Sequence, residues 1–591
     1  MTVTAQQLDE TLSEANLSKD KFTPIEHSNI PFEEEEWPVI IIGSSMVGKT
    51  LSLLLGYHGC GYIGDMCTIS RNLTLTLRSV KSISFDRHSK AGAHPRAAGL
   101  NFRTSEILRQ LGLEDFTLEQ SGKEFDLNAG MLIVEKLVGG RVIKHIQEHD
   151  PERLKTFTPS NWLWISQRMF EPILGANADK FNSEQHHGHE VLLYDEQEDH
   201  VAVVVRELST GKIMKYKAIY VVACDGNRSP TRQKEGISWE GPGILRNSLG
   251  VRFKSDLSPF IGKRMVHGVV YVANEEIGGG FRLENEGKDG IIMVNNVGPK
   301  TSFEPGSVTE NDAKEYFHQL SGLTPDQVTP EIVSINYWTM AAYYAGKLES
   351  KGGRVFLAGD SAHTMPPTGG LGGNTGVADA HNLAWKLAYV LSGKASHSLL
   401  ASYNIERQPI DQFTVYQAYY RFQNRIVLQQ PPALEAPDES IELGYRYPEG
   451  GAFVLEDSYP VPIEPYDDPA RPSAVPGSRF PHSYIQETKG LCKTLSTIDL
   501  VKQNFLLITI DDDSPWIAAA RQSPILLDMY TLNACSSPYR DPTGDVGRKC
   551  RLKPGEAILV RPDGFIAWRG ARVDGGHGQQ LKDGLQMILR R

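Results

Sequence analysis

The sequence has few cysteines, no unbroken apolar run of membrane length and no excess of basic charge, and each shortage excludes a class of protein. The six cysteines, at positions 60, 67, 224, 492, 535 and 550, form neither a Cys-x-x-Cys pair nor a metal-ligand spacing, so we expect structural thiols in a reducing compartment and no metal site. The longest apolar run, Val39 to Leu55, is interrupted by glycines, serines and Lys49, which predicts no membrane span. A formal net charge of −11 offers no basic face to nucleic acid.

What the sequence does contain is enough apolar material for a large globular protein. With 591 residues, of which 40% are hydrophobic, the chain can bury two or three cores. The first 36 residues are polar and acidic, with four glutamates in a row from Glu33 to Glu36, unlike a basic secretory or mitochondrial leader. We therefore expect residues 1–36 to be a loosely ordered tail and the protein to be cytoplasmic.

The most informative segment is LAGDSAHTMPPTGGLGGNTG, residues 357–376. Val355 to Ala358 has the composition of a strand end, and the apolar residues from Val377 to Val390 recur at helical spacing, so the glycines lie on a strand-to-helix corner. Such a corner presents backbone N–H groups at the positive end of a helix dipole, which suits a phosphate or the electron-rich end of a flavin. Asp360, just before the turn, is an acceptor for hydroxyl groups.

This segment resembles the GD motif of the FAD-dependent aromatic hydroxylases, the family of para-hydroxybenzoate hydroxylase and phenol hydroxylase. The resemblance implies that Gly359 and Asp360 hold the ribityl chain of FAD and that Pro367 lies beside the isoalloxazine ring. It also implies that the backbone at the start of the helix faces N1 and O2 of the flavin, a stretch that comprises Gly370, Gly372, Gly373 and Asn374. The alternative is an ordinary glycine-rich loop.

The segment VIIIGSSMVGKT, residues 39–50, fits two motifs. Gly43, Gly48, Lys49 and Thr50 have the spacing of a phosphate-binding P-loop, for which Asp225 could supply the magnesium ligand. The same segment fits a dinucleotide-binding turn in which Gly43, Ser45 and Gly48 take the three glycine positions. The local pattern fits both, but the corner at 357–376 has no place in a P-loop hydrolase and favours the dinucleotide interpretation.

A second motif, CDGNRSPTRQKEGI at residues 224–237, resembles the DG motif of the same family. In that family the DG motif is linked to both FAD and NADPH binding. The resemblance therefore implies cofactor contacts for Asp225 and Arg228.

A dinucleotide fold also needs an acidic residue about 20 positions after its third glycine, to bind ribose hydroxyls. The candidate is Asp86, followed by Arg87, yet Asp86 lies 38 positions after Gly48. Without residues 60–78 the separation is 19. We infer an insertion at 60–78, which is either a surface hairpin or untranslated gene sequence retained in the chain.

Three further polar residues are candidates for cofactor contacts. The segment from His94 to Leu113 resembles the phenol hydroxylase branch, which implies that Arg96 and Arg103 contact FAD or the mobile flavin loop; solvated arginines are the alternative. Gln167 stands where the family places a Gln or Arg against the adenosine half of FAD.

The predicted fold class is α/β with α+β elements. A Rossmann-like FAD-binding domain takes residues 37–240 and 341–430, and an inserted mixed-sheet substrate domain takes 241–340. A proline-rich linker at 431–475 leads to a thioredoxin-like domain at 476–591 that lacks Cys-x-x-Cys, so it cannot perform thioredoxin redox chemistry. A structural role remains for that domain, with a homodimer contact as one option.

The function that the resemblance implies is an NADPH- and FAD-dependent monooxygenase. It would pass one oxygen atom of dioxygen, through a flavin C4a-hydroperoxide, to a phenolic or aromatic polyketide-like small molecule. No residue identifies itself as a catalytic base; Pro367, His363 and Tyr337 are the candidates near the flavin, and His363 is a packing group on the alternative interpretation. The competing functions are a P-loop nucleotide hydrolase and a catalytically impaired flavin-fold protein.

Overall fold

The computed structural model describes residues 27–59, 80–89, 98–123, 125–126, 130–147, 150–427, 431–456, 460–488, 492–512, 514–532, 537–572 and 575–591. The proposed insertion at 60–78, Arg96 and the first 26 residues lie outside these ranges.

In chain order, the strands are β1 (Phe32–Ile42), β2 (Ser82–Asp86), β3 (Gly99–Leu100), β4 (Met131–Val134), β5 (Val142–Gln147), β6 (Leu163–Trp164), β7 (Ser183–His187), β8 (His189–Glu196), β9 (Val201–Glu207), β10 (Ile213–Ala223), β11 (Trp239–Lys254), β12 (Val269–Ala273), β13 (Ile277–Glu284), β14 (Asp289–Val297), β15 (Glu331–Ala345), β16 (Val355–Leu357), β17 (His363–Thr364), β18 (Tyr484–Glu487), β19 (Thr494–Ser496), β20 (Phe505–Thr509), β21 (Leu527–Thr531), β22 (Tyr539–Arg540), β23 (Ala557–Val560) and β24 (Ile566–Gly570).

In the same order, the α-helices are α1 (Met46–Gly59), α2 (Phe102–Gln110), α3 (Glu114–Ser121), α4 (Pro151–Leu154), α5 (Gln167–Gly175), α6 (Pro230–Lys234), α7 (Ser258–Ile261), α8 (Glu310–Ser321), α9 (Leu371–Leu391), α10 (Ala401–Phe422), α11 (Asp438–Leu443), α12 (Pro515–Arg521), α13 (Asp545–Lys549) and α14 (His577–Leu589).

The FAD-binding domain predicted from the sequence is built on a seven-stranded sheet of order β7-β2-β1-β10-β9-β8, with β16 also paired to β10. Five of the strands run parallel to one another: β7, β2, β1, β10 and β16. Strand β9 runs antiparallel to both of its neighbours, β10 and β8. Val39 to Ile42 are all buried, as expected for a parallel strand covered on both faces. Helices α1 and α9 pack together over one face. The predicted strand at Val355 and helix through Val390 are confirmed as β16 and α9.

A second, eight-stranded sheet has the order β17-β15-β11-β14-β13-β12-β4-β5. Its pairing is antiparallel except between β4 and β12, which confirms the predicted mixed sheet. The expected boundary at residue 241 is too simple, because β4 and β5 come from residues 131–147 and complete one edge of the sheet. A short strand of alternating apolar residues does not reveal which sheet it joins.

The C-terminal part has a four-stranded sheet of order β21-β20-β23-β24, in which β20 and β21 are parallel and the other pairs are antiparallel. With α12 between the parallel strands and α14 at the end, this is the predicted thioredoxin-like arrangement. Its core is shared with the first domain, because Phe505 packs against Trp385 and Tyr389 of α9, with both ring centroids 5.7 Å away.

Two expectations about irregular segments are wrong. Residues 32–36, expected in the tail, form the start of β1, where Glu35 and Glu36 pair with Lys81 and Lys217 at 2.9 and 2.8 Å. The expected linker at 431–475 contains α11, and its Tyr445 and Tyr447 are buried against Phe565. Burial of these aromatic side chains removes apolar surface from water, and this stabilises a packed segment relative to a solvated linker. None of the described helices has the length and apolar character that crossing a bilayer requires.

Candidate active site

The turn between β1 and α1 is closed by two glycines. Gly43 has a φ of +99°, and a Cβ placed on it would lie 2.3 Å from the carbonyl oxygen of Cys224. A Cβ on Gly48 would lie 2.1 Å from the carbonyl oxygen of Gly43. Both positions therefore require glycine, one for its backbone conformation and one for close helix packing. This is the geometry of a dinucleotide-binding turn.

Asp86 lies at the end of β2, beside this turn. Its Oδ2 accepts a hydrogen bond from the backbone N–H of Ser44 at 2.9 Å, and its Oδ1 accepts from that of His88 at 2.8 Å. Arg87 is exposed next to it. Since β2 pairs in parallel with β1 and the undescribed residues 60–79 fall between α1 and β2, Asp86 lies beside the turn despite its distance in sequence.

Ser45 and Gln167 meet at the start of α1, around a third residue that sequence reasoning missed. Ser45 Oγ donates to Glu171 Oε1 at 2.5 Å, and Gln167 Nε2 donates to the same oxygen at 2.6 Å. The backbone N–H of Met46 also donates to Glu171 Oε1, at 3.1 Å. The buried carboxylate shows that the N-terminus of α1 accommodates negative charge. The only signal for Glu171 in the sequence was its position one helical turn after Gln167 on α5.

Lys49 does not serve the turn as a P-loop lysine would. It is buried, and its Nζ would be 3.5 Å from a Cβ placed on Gly175 at the end of α5. Burial lowers the pKa of Lys49, although Glu171 and Asp86 oppose that shift. The Thr50 hydroxyl donates to the carbonyl oxygen of Met46 within α1 at 2.8 Å. The nucleotide-hydrolase alternative therefore gains no support.

The Asp225 turn lies against Gly43. A Cβ on Gly43 would be 3.4 Å from the backbone nitrogen of Asp225. Asp225 Oδ2 accepts from the Thr231 N–H at 3.1 Å, but Oδ1 is buried and has no hydrogen-bond partner among the described residues. Burial raises the pKa of Asp225, while hydrogen bonds from Ser229 and Thr231 lower it. An orphaned carboxylate oxygen fits a hydroxyl or N–H of a bound molecule. Arg228 is exposed on the same loop.

Gly359 brings the third motif to the same place. Its φ is +67°, and a Cβ on it would lie 3.0 Å from Val47 of α1. Gly376 of α9 packs on Gly359 so closely that its own Cβ would lie 2.8 Å from the Gly359 Cα. The half-buried Asp360 therefore begins a turn held between α1 and α9.

A buried ionic cluster lies beneath this turn. Asp379 Oδ2 accepts from the Gly359 N–H at 3.1 Å and lies 2.9 Å from His363 Nε2, while Asp379 Oδ1 accepts from Arg407 Nε at 2.8 Å. Burial disfavours the charge on His363, but Asp411 and Asp379 raise its pKa to about 9. His363, Asp379 and Asp411 are close enough to bind a metal ion, but the Arg407 guanidinium already supplies their positive charge. His363 thus lies within the support of the turn.

The start of α9 is tied to β3 and α2 through Asn374. Its Oδ1 accepts from Asn101 N at 3.0 Å and from Thr104 Oγ1 at 2.7 Å. Its Nδ2 donates to the carbonyl oxygens of Gly99 at 3.1 Å and Gly370 at 2.7 Å. The side chain of Asn374 therefore fixes the corner, and only its backbone is left to face a ligand.

The loop before α9 carries the exposed backbone of the corner. Pro367 and Gly370 are exposed, and Gly372 and Gly373 are half-buried in the first turn of the helix. Thr368 anchors the loop, because its Oγ1 donates to the Ala418 carbonyl oxygen of α10 at 2.7 Å. The corner thus combines a fixed backbone with open N–H groups at a helix start.

Two candidates lie away from the corner. Tyr337 is on the face of β15 that packs against α8, where its hydroxyl accepts from the Val308 N–H at 2.9 Å. Arg103 is buried at the contact with the C-terminal domain, where it bonds Glu106 at 3.2 Å and the Asp563 carbonyl oxygen at 2.5 Å. The helical pattern around Arg103 gave no sign of this distant partner.

Two tryptophans that sequence reasoning also missed, Trp162 and Trp164, lie beside the corner. The ring centroids of Trp162 and Trp164 are 4.5 Å apart, and a Cβ on Gly370 would lie 3.9 Å from Trp162. Both tryptophans belong to a buried cluster against which Tyr271 and Met293 of the eight-stranded sheet pack. Trp162 and Trp164 are 4% and 3% exposed, so they are part of the core beside the corner.

Comparisons with known proteins agree with this geometry. A family model described as an FAD binding domain matches residues 36–418, and one described as the C-terminal part of aromatic-ring hydroxylases matches residues 473–591.

Similar proteins of known activity match the chain over most of its length. A 4-methyl-5-nitrocatechol 5-monooxygenase of a Burkholderia species is 33% identical over 570 residues, which cover 94% of this chain and 98% of that protein. An aklavinone 12-hydroxylase of Streptomyces purpurascens is 31% identical, covering 94% of this chain and 100% of that protein.

Solved structures are similar over the same extent. A ternary complex of aklavinone-11 hydroxylase with FAD and aklavinone superposes with a TM-score of 0.83 and 28% identity, covering 95% of this chain and 100% of that one. The flavin-dependent monooxygenase PieE, in complex with FAD and substrate, gives a TM-score of 0.78 with 26% identity, covering 94% of this chain and 99% of that one.

Proposed function

Because this chain belongs to the family of FAD-dependent aromatic-ring hydroxylases, we propose that it uses NADPH and dioxygen to hydroxylate a phenolic or aromatic polyketide-like small molecule. The family makes it a flavin-dependent monooxygenase; the electron donor and the substrate belong to the proposal. The observation that carries it is the meeting of three motifs far apart in sequence, at Gly43, Asp225 and Gly359, around the N-terminus of α1.

We propose the following roles for the residues of this site. Asp86 binds ribose hydroxyls, Gln167 and Ser45 lie against the adenosine and pyrophosphate half, and Asp225 and Asp360 accept hydrogen bonds from the rest of the cofactor. The backbone from Gly370 to Asn374, at the start of α9, faces the flavin ring. The N–H of Gly370 donates to the Pro367 carbonyl oxygen at 3.1 Å, so the N–H groups that follow it in the helix would favour the reduced, anionic flavin.

The bound flavin would supply the oxygen chemistry through a C4a-hydroperoxide, and the protein would supply orientation and exclusion of water. The overall reaction consumes one NADPH, one proton and one dioxygen per aromatic C–H, and it yields NADP⁺, water and the phenol.

The test is to purify the full chain and measure its bound cofactor and its oxygen chemistry. We expect a yellow protein that releases FAD on denaturation, and NADPH oxidation that accelerates when an accepted phenol is added, with hydroxylated product formed. A colourless protein that refuses added FAD would overturn the proposal, as would nucleotide triphosphate hydrolysis abolished by Lys49→Ala.

A matched pair of variants tests the role of Asp360. Asp360→Ala should weaken FAD binding about 10- to 100-fold, because hydrogen bonds to a carboxylate are worth about 1.5–3 kcal/mol. Asp326→Ala removes an exposed carboxylate in the sheet domain and should leave FAD affinity unchanged. Equal FAD affinity in both variants would remove Asp360 from the site.

The assembly and setting of the enzyme also belong to the proposal. We propose a cytoplasmic enzyme, where NADPH is available, and a homodimer formed through the thioredoxin-like domain. Light scattering of the purified chain would measure the molecular mass, and a monomer at micromolar concentration would contradict the dimer.

A further inference from the structure

Glu442 is a buried carboxylate near the end of α11, and both of its oxygen atoms accept hydrogen bonds. Its Oε2 accepts from the backbone N–H of Phe102 at 3.2 Å, and its Oε1 accepts from Trp162 Nε1 at 3.3 Å. The residue is 3% exposed. Each bond is stronger to an ionised carboxylate than to a protonated one, so both donors favour the charged form of Glu442.

Both donors lie against the glycine-rich corner. A Cβ on Gly370, at the start of α9, would lie 3.9 Å from Cζ2 of Trp162, which belongs to the same indole ring as Nε1. On the other side, α2 is tied to the corner, because the N–H of its N-cap residue Asn101 donates to Asn374 Oδ1 at 3.0 Å. Only the indole ring of Trp162 therefore separates the Glu442 carboxylate from Gly370.

No cation in the described part of the chain forms an ion pair with Glu442. The charged groups on the elements around it are instead paired with one another. These pairs are Asp438 with Arg421, Glu439 with Arg153, Glu106 with Arg103 and Arg479, Glu435 with Arg425, and Asp467 with Arg446. A negative charge on Glu442 is therefore not neutralised by an ion pair, and it acts on any charge that forms at the corner.

The charge of Glu442 changes within an accessible range of pH. Burial and the nearby Asp438 raise its pKa to about 8, while the hydrogen bonds from Phe102 and Trp162 oppose that shift. The carboxyl is thus mostly neutral below pH 8 and mostly charged above it. A reduced, anionic flavin at the corner would be a like charge and would raise the pKa of Glu442 further. Above pH 8, the oxidised and the reduced cofactor therefore favour different charge states of this residue.

We propose that Glu442 takes up a proton when the flavin at the corner is reduced, and so makes the reduction potential of the cofactor depend on this residue in alkaline solution. The start of α9 favours the anionic flavin, and an ionised Glu442 opposes it. In the balanced step, the hydride of NADPH brings two electrons to the flavin and leaves it anionic, and a proton from water forms an O–H bond on Glu442. This inference rests on the proposed placement of the flavin and adds a redox-linked proton site.

The experiment measures the reduction potential of the FAD-loaded full chain from about pH 6.5 to about pH 10, by equilibration with a reference dye. We expect the wild type and Glu442→Gln to have equal potentials at the acid end, where both side chains are neutral. At the alkaline end the variant should bind reduced relative to oxidised FAD about 3- to 10-fold better than the wild type does, which is roughly 15–30 mV for a two-electron couple. A pH indicator in weak buffer should also show that the wild type takes up more protons than the variant on reduction above pH 8.

Two further variants locate the effect. Trp162→Phe keeps an aromatic ring but removes one donor to the carboxylate, so the extra proton uptake should begin about 0.5–1 pH unit higher than in the wild type. Glu315→Gln makes the same chemical change as Glu442→Gln on the exposed side of α8. It is the matched control, and its potential should equal that of the wild type at every pH.

Other outcomes contradict the proposal. Potentials of the wild type and Glu442→Gln that coincide, or differ by the same amount at every pH, would show that Glu442 does not take up the proton. If Glu442→Gln binds no FAD, the wild type and Trp162→Phe still decide, because proton uptake that begins at the same pH in both would overturn this inference alone. A wild type without FAD overturns the proposed function, and this inference with it.

Discussion

The buried charges of the FAD-binding domain are paired differently at its contacts with the two neighbouring domains. Toward the C-terminal domain its buried charges are paired: Glu406 contacts Arg561 at 2.7 Å and Lys386 at 2.8 Å. Toward the eight-stranded sheet the pairing is uneven. Arg282 and Glu284 of β13 form a buried pair at 2.9 Å. Glu442 of α11, which accepts hydrogen bonds from Phe102 N at 3.2 Å and Trp162 Nε1 at 3.3 Å, has no cation among the described residues.

The pKa directions follow this division. Burial opposes the charge on Glu406, but Arg561 and Lys386 lower its pKa. For Glu442, burial and the nearby Asp438 raise the pKa to about 8, only partly opposed by the Phe102 and Trp162 hydrogen bonds. Glu406, at the contact with the C-terminal domain, is thus neutralised within the chain, whereas Glu442, on the side of the sheet, is not.

The largest effect is expected from Glu406→Gln. Removing this charge leaves Lys386 buried without its acid and Arg561 with Asp563 alone, which should lower the free energy of unfolding by about 3–5 kcal/mol. Urea unfolding of the FAD-loaded protein, followed by tryptophan fluorescence, measures the loss. A loss below about 1 kcal/mol, as for an exposed pair, would mean that the paired contact does not differ from a surface one.

Glu442→Gln should act in the opposite direction and depend on pH. A carboxyl whose folded pKa is about 8 binds a proton in the folded state that the unfolded chain releases above about pH 4.5. The stability from this group is therefore complete below pH 4.5 and is lost as pH rises toward 8, by about 1.4 kcal/mol per pH unit.

Because glutamine mimics the protonated form, the variant should unfold at higher urea than the wild type at pH 7 and at a similar concentration at pH 4.5. The measurement is the difference in unfolding free energy between the two proteins across that range. A difference that stays constant with pH would mean that Glu442 is already ionised, and the sheet-side contact would then resemble the C-terminal one.

A smaller effect is expected from Asp499→Asn, at the rim of the C-terminal contact. Arg109 Nε lies 2.6 Å from Asp499 Oδ1, but the arginine side chain is 31% exposed and keeps Glu114 as a second partner at 3.0 Å. Solvent screening should limit the loss to about 1 kcal/mol. A loss as large as that of Glu406→Gln would show that burial is not what separates the two pairs.

The smallest effect is expected from Arg153→Ala. Its ion pair with Glu439 is short, at 2.7 Å, yet the arginine side chain is 55% exposed, so the loss in unfolding free energy should be below about 0.5 kcal/mol. High salt should leave this variant and the wild type indistinguishable in the same urea titration, because screening already removes the pair. A salt-independent loss would contradict this.

The sequence was sufficient where local geometry dictates the residue. Gly43 and Gly359 are needed for positive φ and close approach, so their motifs could be found without knowing the fold. Glu171 could not be found, since its role depends on a contact with Ser45, which is 126 positions away. The position of Tyr337 against α8 could not be found for a similar reason: which face of β15 it occupies depends on register with strands distant in sequence.

The same limit explains the domain boundaries. Residues 131–147 join the sheet through a parallel pairing with β12, and nothing in their own pattern specifies that partner. The segment at 431–475 has the prolines of a linker, but the burial of Tyr445 and Tyr447 depends on Phe565, far along the chain. Glu442 could not be singled out either, because a carboxylate reveals its missing cation only when its surroundings are known.

Helix α9 starts at the glycine-rich corner, and near its end Trp385 and Tyr389 pack against Phe505 of the C-terminal domain. During synthesis on the ribosome, this aromatic face emerges well before the residues that cover it. The nascent protein therefore exposes an apolar helix face until its last domain is synthesised. A chaperone is most useful at that stage. A chain cut short before Phe505 would keep the face uncovered and should accumulate as inclusion bodies rather than as a smaller enzyme.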